Sequence, residues 1–212
     1  MIEKTIFPDD YGIAFLSVDL FMEEIKKKKC KARKFISYFN KHMDIYFELI
    51  DKGIIVPFHP VNAGDVPIFI ETESQNFVCP QGYQKIFQYD DFYLKVGPQG
   101  IVTLASFGYL EYYGKNIASG ETKRSYFDLE GNESFSAIDF PLAQGEYQFS
   151  LIALKKIDRT EYEIKYDKGY AYGFYFSQPQ DMIKDNLEKC DDDHYDFRLM
   201  SSNQGGKICV MM

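Results

Sequence analysis

Between residues 13 and 22 the chain alternates. Ala14, Leu16, Val18, Leu20 and Met22 fall on one side of an extended backbone, Ser17 and Asp19 on the other. A period of two predicts a strand buried on one face. Over 32–50 the period changes. Phe35, Ile36, Phe39, Met43, Tyr46, Phe47 and Ile50 recur at steps of three and four, the apolar stripe of one long amphipathic helix. Gly53 stands where a left-handed residue would end that helix. Beyond it β signals dominate. Strands are predicted over 54–58, 66–71, 86–89, 92–96, 101–106, 108–113, 124–128, 134–139, 146–154, 170–177, 195–200 and 207–211. A short helix over 179–189 opens on Pro179 and carries Met182, Ile183 and Leu187.

Short strands between Gly/Pro breaks at Pro57, Pro60, Gly64, Gly97, Gly100, Gly131 and Gly145 favour a sandwich or barrel over alternating βαβ units. The expected fold is α+β and predominantly β. It is an antiparallel β-sandwich with one long N-terminal helix and a short helix in the C-terminal half. A single β-rich domain over 1–212 is expected, and 80–82 is the junction if there are two lobes.

Composition narrows the class. With 45% hydrophobic and 26% charged residues, the chain is too apolar for disorder and too charged for a membrane bundle. No run reaches the length of a transmembrane helix, and no secretory leader is visible, so a cytoplasmic location is expected. Cys30, Cys79, Cys190 and Cys209 form no close pair, which disfavours a zinc ribbon or redox dithiol and predicts free thiols.

Phosphate-binding glycine loops, a nucleophile elbow and a zinc-protease helix are all missing. His42, His59 and His194 are the histidines; His42 reads as helix surface and His59 as a turn residue. Asp191, Asp192, Asp193 and His194 form the densest oxygen-rich cluster. They are the candidate ligands of a divalent metal in an alternative reading as a small hydrolase or lyase. No calcium-loop spacing supports them, and a solvated acidic turn is the simpler reading. No cofactor is expected.

Charge is polarised within a net of −8. Residues 23–34 place Lys26, Lys27, Lys28, Lys29, Lys31, Arg33 and Lys34 against two glutamates, a solvated loop or an anion-binding tongue. Residues 42–94 carry eight acids against two lysines. An acidic surface steers a basic partner, although solubility alone also profits from net charge. Tyrosine suits interfaces, and Tyr112 and Tyr113 fall beside Tyr109. The stripe Tyr170, Tyr172, Phe174 and Phe176 reads as core, and Ala171 and Gly173 opposite it suggest a closely packed backbone.

Residues 138–149, Ile-Asp-Phe-Pro-Leu-Ala-Gln-Gly-Glu-Tyr-Gln-Phe, end one strand at Pro141, turn at Gly145 and start the next at Tyr147. This resembles the Asp-Φ-Pro-x-Gly-x-Tyr-x-Φ element (Φ apolar) of the competence-nuclease inhibitor family and of related bacterial immunity-type β-sandwich proteins. Leu142, Ala143 and Gln144 lengthen its loop. Residues 46–53 resemble that family's approach from a helix through Lys-Gly to an apolar strand. The resemblance implies a cytoplasmic, non-enzymatic protein that neutralises a basic toxin or nuclease by occluding it. It identifies no inhibitory residue. From charge and aromatic content the candidate contacts are Asp65, Glu71, Glu73, Asp90, Asp91, Tyr112 and Tyr113. Neither a membrane nor a nucleic acid partner is expected, apart from the alternative use of Lys26–Lys34 to hold an anion or a nucleic acid.

Overall fold

The computed structural model describes residues 1–62, 64–73, 76–114, 125–127, 131–179, 181–190 and 195–199. The chain runs through β1 (Ile2–Ile6), a turn at Asp9–Tyr11, β2 (Ile13–Ser17), α1 (Val18–Lys27), α2 (Phe35–Phe39), α3 (Met43–Asp51), β3 (Ile55–Phe58), β4 (Val66–Glu71) and β5 (Tyr83–Val96). It continues through β6 (Ile101–Ser106), α4 (Phe107–Glu111), β7 (Ser125–Phe127), β8 (Glu133–Phe135), β9 (Ala137–Pro141), β10 (Gly145–Lys156), α5 (Glu161–Lys165), β11 (Tyr170–Ser177) and α6 (Asn186–Lys189).

The strands form two sheets, a seven-stranded one in the order β5-β10-β11-β4-β1-β8-β7 and a four-stranded one in the order β3-β2-β6-β9. The smaller sheet is antiparallel throughout. The larger one is mixed, because β11 runs parallel to β4 and β1 parallel to β8. The predominantly β expectation holds; the purely antiparallel one does not.

Phe15 explains how the sheets meet. It lies on β2, fully buried, and packs edge-on against Phe149, Phe174 and Phe176 of the larger sheet at 5.1, 4.8 and 5.3 Å between ring centres. The stripe of β11 is core, as its period predicts. Opposite it, however, Gly173 faces the ring of Phe77 rather than a backbone. Strand β2 is buried on both faces. Ile13 and Phe15 enter the core between the sheets, and Ala14 and Leu16 enter a second core under the helices.

The expected strand over 13–22 therefore stops at Ser17 and becomes α1. Asp19 is the reason: its carboxylate takes the Leu20 N–H at 2.8 Å and the Gln99 N–H at 2.9 Å, satisfying donors at a helix start and in the 97–100 turn. Val18, Leu20 and Met22 fit period two by coincidence; burial follows Phe21 and Ile25, four apart. The one long helix over 32–50 is also corrected. It is two helices, broken where His42 leaves helical geometry (φ −135°, ψ 60°), so that Tyr46 folds back and stacks on Phe39 at 5.2 Å. The expected strand over 108–113 is α4, because Ser106 Oγ accepts the Tyr109 N–H and caps a helix. Strands 86–89 and 92–96 are one strand with a bulge, in which Asp90 and Asp91 oppose Ser150. Helix 179–189 shrinks to α6, and the expected strand over 207–211 lies outside the described residues.

Gly53 meets its expectation closely. At φ +64° it donates to Ile50 C=O at 2.9 Å while the Ile54 N–H reaches Leu49 C=O at 2.9 Å, the paired bonds of a left-handed helix stop. The Tyr93 ring lies 2.6 Å from where a side chain would begin.

Candidate functional site

Helix α3 turns Met43, Tyr46, Phe47 and Ile50 to one side, at steps of three, four and seven. The stripe reads in sequence as core-facing. In the structure only its Ile50 end is buried; Met43 and Phe47 are 41% and 47% exposed. They border a cleft of about 730 Å³. Ile36 and Asn40 of α2 form a second wall, Leu187 and Cys190 at α6 a third, and Pro57, His59, Phe107 and Asp10 the floor and far side.

Local sequence fixes several of these groups. Gly12 has no side chain, and a Cβ there would meet the Phe107 ring at 2.4 Å, so the ring lies directly over the backbone. The Phe107 N–H bonds Gly12 C=O at 2.9 Å and holds that wall in place. The His59 ring lies parallel to Phe107, 5.9 Å between centres. Asp10 adopts φ 57°, ψ 30°, a left-handed geometry that costs a non-glycine residue about 1 kcal/mol and that Asp and Asn tolerate best. Its carboxylate is exposed, and no described residue hydrogen-bonds or pairs with it. Burial pushes the Cys190 thiol far above its ordinary range, so this sulfur is held as a neutral lining group rather than a thiolate nucleophile.

A second groove, about 450 Å³, is lined by paired charges. Lys52 bonds Glu24 at 3.0 Å and Glu48 at 2.6 Å; Lys184 bonds Glu146 at 2.9 Å, and Tyr93 donates to the same carboxyl at 2.9 Å. The first cluster ties α1 to α3, and the second ties Lys184 to strands β5 and β10 of the larger sheet.

The seven residues proposed as an acidic, tyrosine-bearing face are not brought together. Asp65 precedes β4 and accepts the Tyr126 hydroxyl at 2.7 Å. Glu71 ends β4, is only 7% exposed, and lies 3.8 Å from the N-terminal ammonium; its carboxylate takes the Glu73 N–H at 3.0 Å. Asp90 and Asp91 sit on β5, which β10 and β11 separate from β4. Asp90 accepts the Ser150 hydroxyl at 2.5 Å, and Asp91 adopts φ 65° in the bulge. Tyr112 is exposed beneath Lys34, whereas Tyr113 is buried against Phe21, Phe35 and Tyr109, and burial pushes its phenol up. Tyr113 and Glu71 are thus interior groups.

In the basic segment Lys27 sits between Glu23 and Glu24 at 2.8 Å each, Lys28 pairs with Glu48, and Lys34 lies 3.7 Å from Glu111. Lys26, Lys29, Lys31 and Arg33 are exposed with no acidic partner among the described residues. Asp191, Asp192, Asp193 and His194 lie outside the described residues, as does Cys209. Cys30, Cys79 and Cys190 are free thiols. No helix among the described residues is long and apolar enough to cross a membrane.

Sequence reasoning missed Asp10, Leu187 and Cys190 as members of one site. The available signal was the stripe over 35–50, which carries more large apolar groups than one buried helix face needs.

No family model matches this chain, and no curated protein does. The chain is similar to a solved structure described as "Crocagin biosynthetic gene J", at 10% sequence identity and a TM-score of 0.43, over 85% of this chain and 100% of that one.

Proposed function

We propose that this is a binding protein rather than an enzyme, and that its ligand lies in the cleft between α2, α3 and α6. One observation carries the reading: α3 presents Met43 and Phe47 to an open cleft of about 730 Å³ instead of to the core, with Leu187, 42% exposed, facing them. Clefts of roughly 300–1,000 Å³ lined mainly by apolar groups with a few polar ones are the usual form of small-ligand sites. Neighbouring exposed apolar side chains mark such a groove better than scattered ones. We read the two sheets as a β-sandwich that serves as the rigid scaffold, with the helices outside it carrying the site. Occlusion of a basic protein by an acidic face is less favoured, because the seven candidate residues are dispersed.

The test is calorimetric titration with an uncharged apolar probe such as 4-phenylbutanol. The double variant Met43→Ser, Phe47→Ser should bind about tenfold or more weakly, since each partly buried side chain contributes about 1 kcal/mol on contact. Equal affinity for both proteins, or no binding by the parent, would remove the cleft as the site.

A second reading rests on Lys26, Lys29, Lys31 and Arg33, which are exposed with no acidic partner among the described residues. An anion held there should dissociate steeply as salt rises. Retention on heparin that survives replacement of all four by Ser would refute it.

A further inference from the structure

We infer that the cleft takes a hydrophobic cation: an elongated apolar body ending in an amine or guanidinium that pairs with Asp10. The inference rests on the cleft being the binding site, and it adds the chemical class of the ligand.

The charge pattern of the walls carries it. Twelve described residues line the cleft; among them Asp10 is the one carboxylate and none is Lys or Arg. Four carboxylates on α1, α3 and α4 are engaged differently. Asp19 accepts backbone N–H groups at 2.8 and 2.9 Å, Glu24 and Glu48 share Lys52, and Glu111 accepts the Ser37 N–H at 2.8 Å. Asp10 has no partner among the described residues, and it lines the cleft.

A ligand that fills the apolar part displaces water from this carboxylate. A neutral ligand then leaves it poorly solvated, an anion adds repulsion with no compensating cation in the walls, and a cation restores what water supplied. The apolar remainder of the ligand meets Met43, Phe47 and Leu187. Among the described residues the other titratable groups lining this space are Tyr46, the neutral Cys190 thiol and His59, whose ring is laid along Phe107. At about pH 8 a primary amine is protonated and a carboxylic acid is ionised, so the charged probes carry their intended charges there.

Three probes of one shape separate the possibilities: 4-phenylbutylamine, 4-phenylbutanol and 4-phenylbutyrate, titrated by calorimetry in about 0.15 M salt, where charges farther than about 8 Å away are screened. The amine should bind about tenfold tighter than the alcohol, and the carboxylate most weakly. Asp10→Asn tolerates the same left-handed backbone, so the fold is kept, and an unchanged melting temperature confirms this. In that variant the preference for the amine should fall to about twofold or less. Glu73→Gln removes a charge elsewhere and should leave the preference intact. A parent protein that binds amine and alcohol equally overturns the inference, as does an Asp10→Asn variant that keeps the preference. If Phe47→Ser still weakens both equal binders, the cleft stands and only the cation is lost. If none of the three probes binds, both the cleft and the cation fall.

Discussion

Asn186 shows how one side chain can join parts of the chain that no local pattern connects. It is 2% exposed. Its carbonyl oxygen accepts the Tyr93 N–H at 2.8 Å, and its amide donates to Tyr93 C=O at 2.7 Å and to Ile50 C=O at 3.2 Å. The carboxamide thus completes part of the open edge of β5 as a neighbouring strand would, and it ties that edge to the end of α3. Asn186→Asp keeps the size but turns an acceptor toward two carbonyl oxygens. A loss of about 3 kcal/mol or more is expected in urea denaturation, with Asn186→Ala losing about 2. A loss below about 0.5 kcal/mol for both would show that the edge needs no such partner. In sequence Asn186 is an ordinary polar residue of an expected helix, because its partners lie 93 and 136 positions away. Asp10 is illegible because the residues that share its cleft, from Ile36 to Cys190, are distant in sequence. Gly53 could be read because its partners, Leu49 and Ile50, lie within one helical turn.

Among the elements, the legible ones are short apolar runs, buried almost continuously and preceded by a glycine break. β4, β6 and β11 occupy 66–71, 101–106 and 170–177 as expected. The failures cluster at helix starts: Asp19 accepts the Leu20 N–H in the first turn of α1 and Ser106 caps α4, each where an apolar alternation suits a strand equally well. Once formed, α1 and α3 are tied by charge. Lys52 of the α3 end bridges Glu24 of α1 and Glu48, and Lys28 also pairs with Glu48. Hydrogen bonds from Lys28 and Lys52 hold the Glu48 carboxyl down at about 2, and those from Lys27 and Lys52 lower Glu24. A depressed carboxyl stabilises the fold above its unfolded value of about 4.3 and loses that contribution as pH falls through the folded value. The parent should therefore lose stability between about pH 4.5 and 2, and Glu48→Gln should flatten part of that decline. Glu48 is 37% exposed, so solvent screening limits its share to about 1 kcal/mol. Thermal denaturation across this pH range reads the difference, and parallel curves for parent and variant would deny the tie its role.

For the molecule as a whole, the aromatic residues divide into two populations with opposite expected effects. Phe15 is fully buried and meets Phe58 and Phe140 of its own sheet at 6.1 and 5.9 Å and three phenylalanines of the larger sheet. Removing it leaves a cavity between the sheets that neither can close alone, so Phe15→Ala should cost about 3–5 kcal/mol. Phe47 also belongs to an apolar stripe, and composition alone cannot tell it from Phe15. Its ring is 47% exposed over the cleft, so Phe47→Ser gives up little packing and removes apolar surface from water. Its stability should change by less than about 0.5 kcal/mol in either direction while its affinity for an apolar probe falls. Urea denaturation of both variants, set beside their probe titrations, decides the matter. If Phe47→Ser loses as much stability as Phe15→Ala, α3 is held by the cleft side chains as part of the core, and the cleft has no surface set aside for a ligand. If stability stays level and binding falls, α3 is anchored by Leu49 and Ile50 on its buried side, which leaves Met43 and Phe47 free to contact something other than the protein itself.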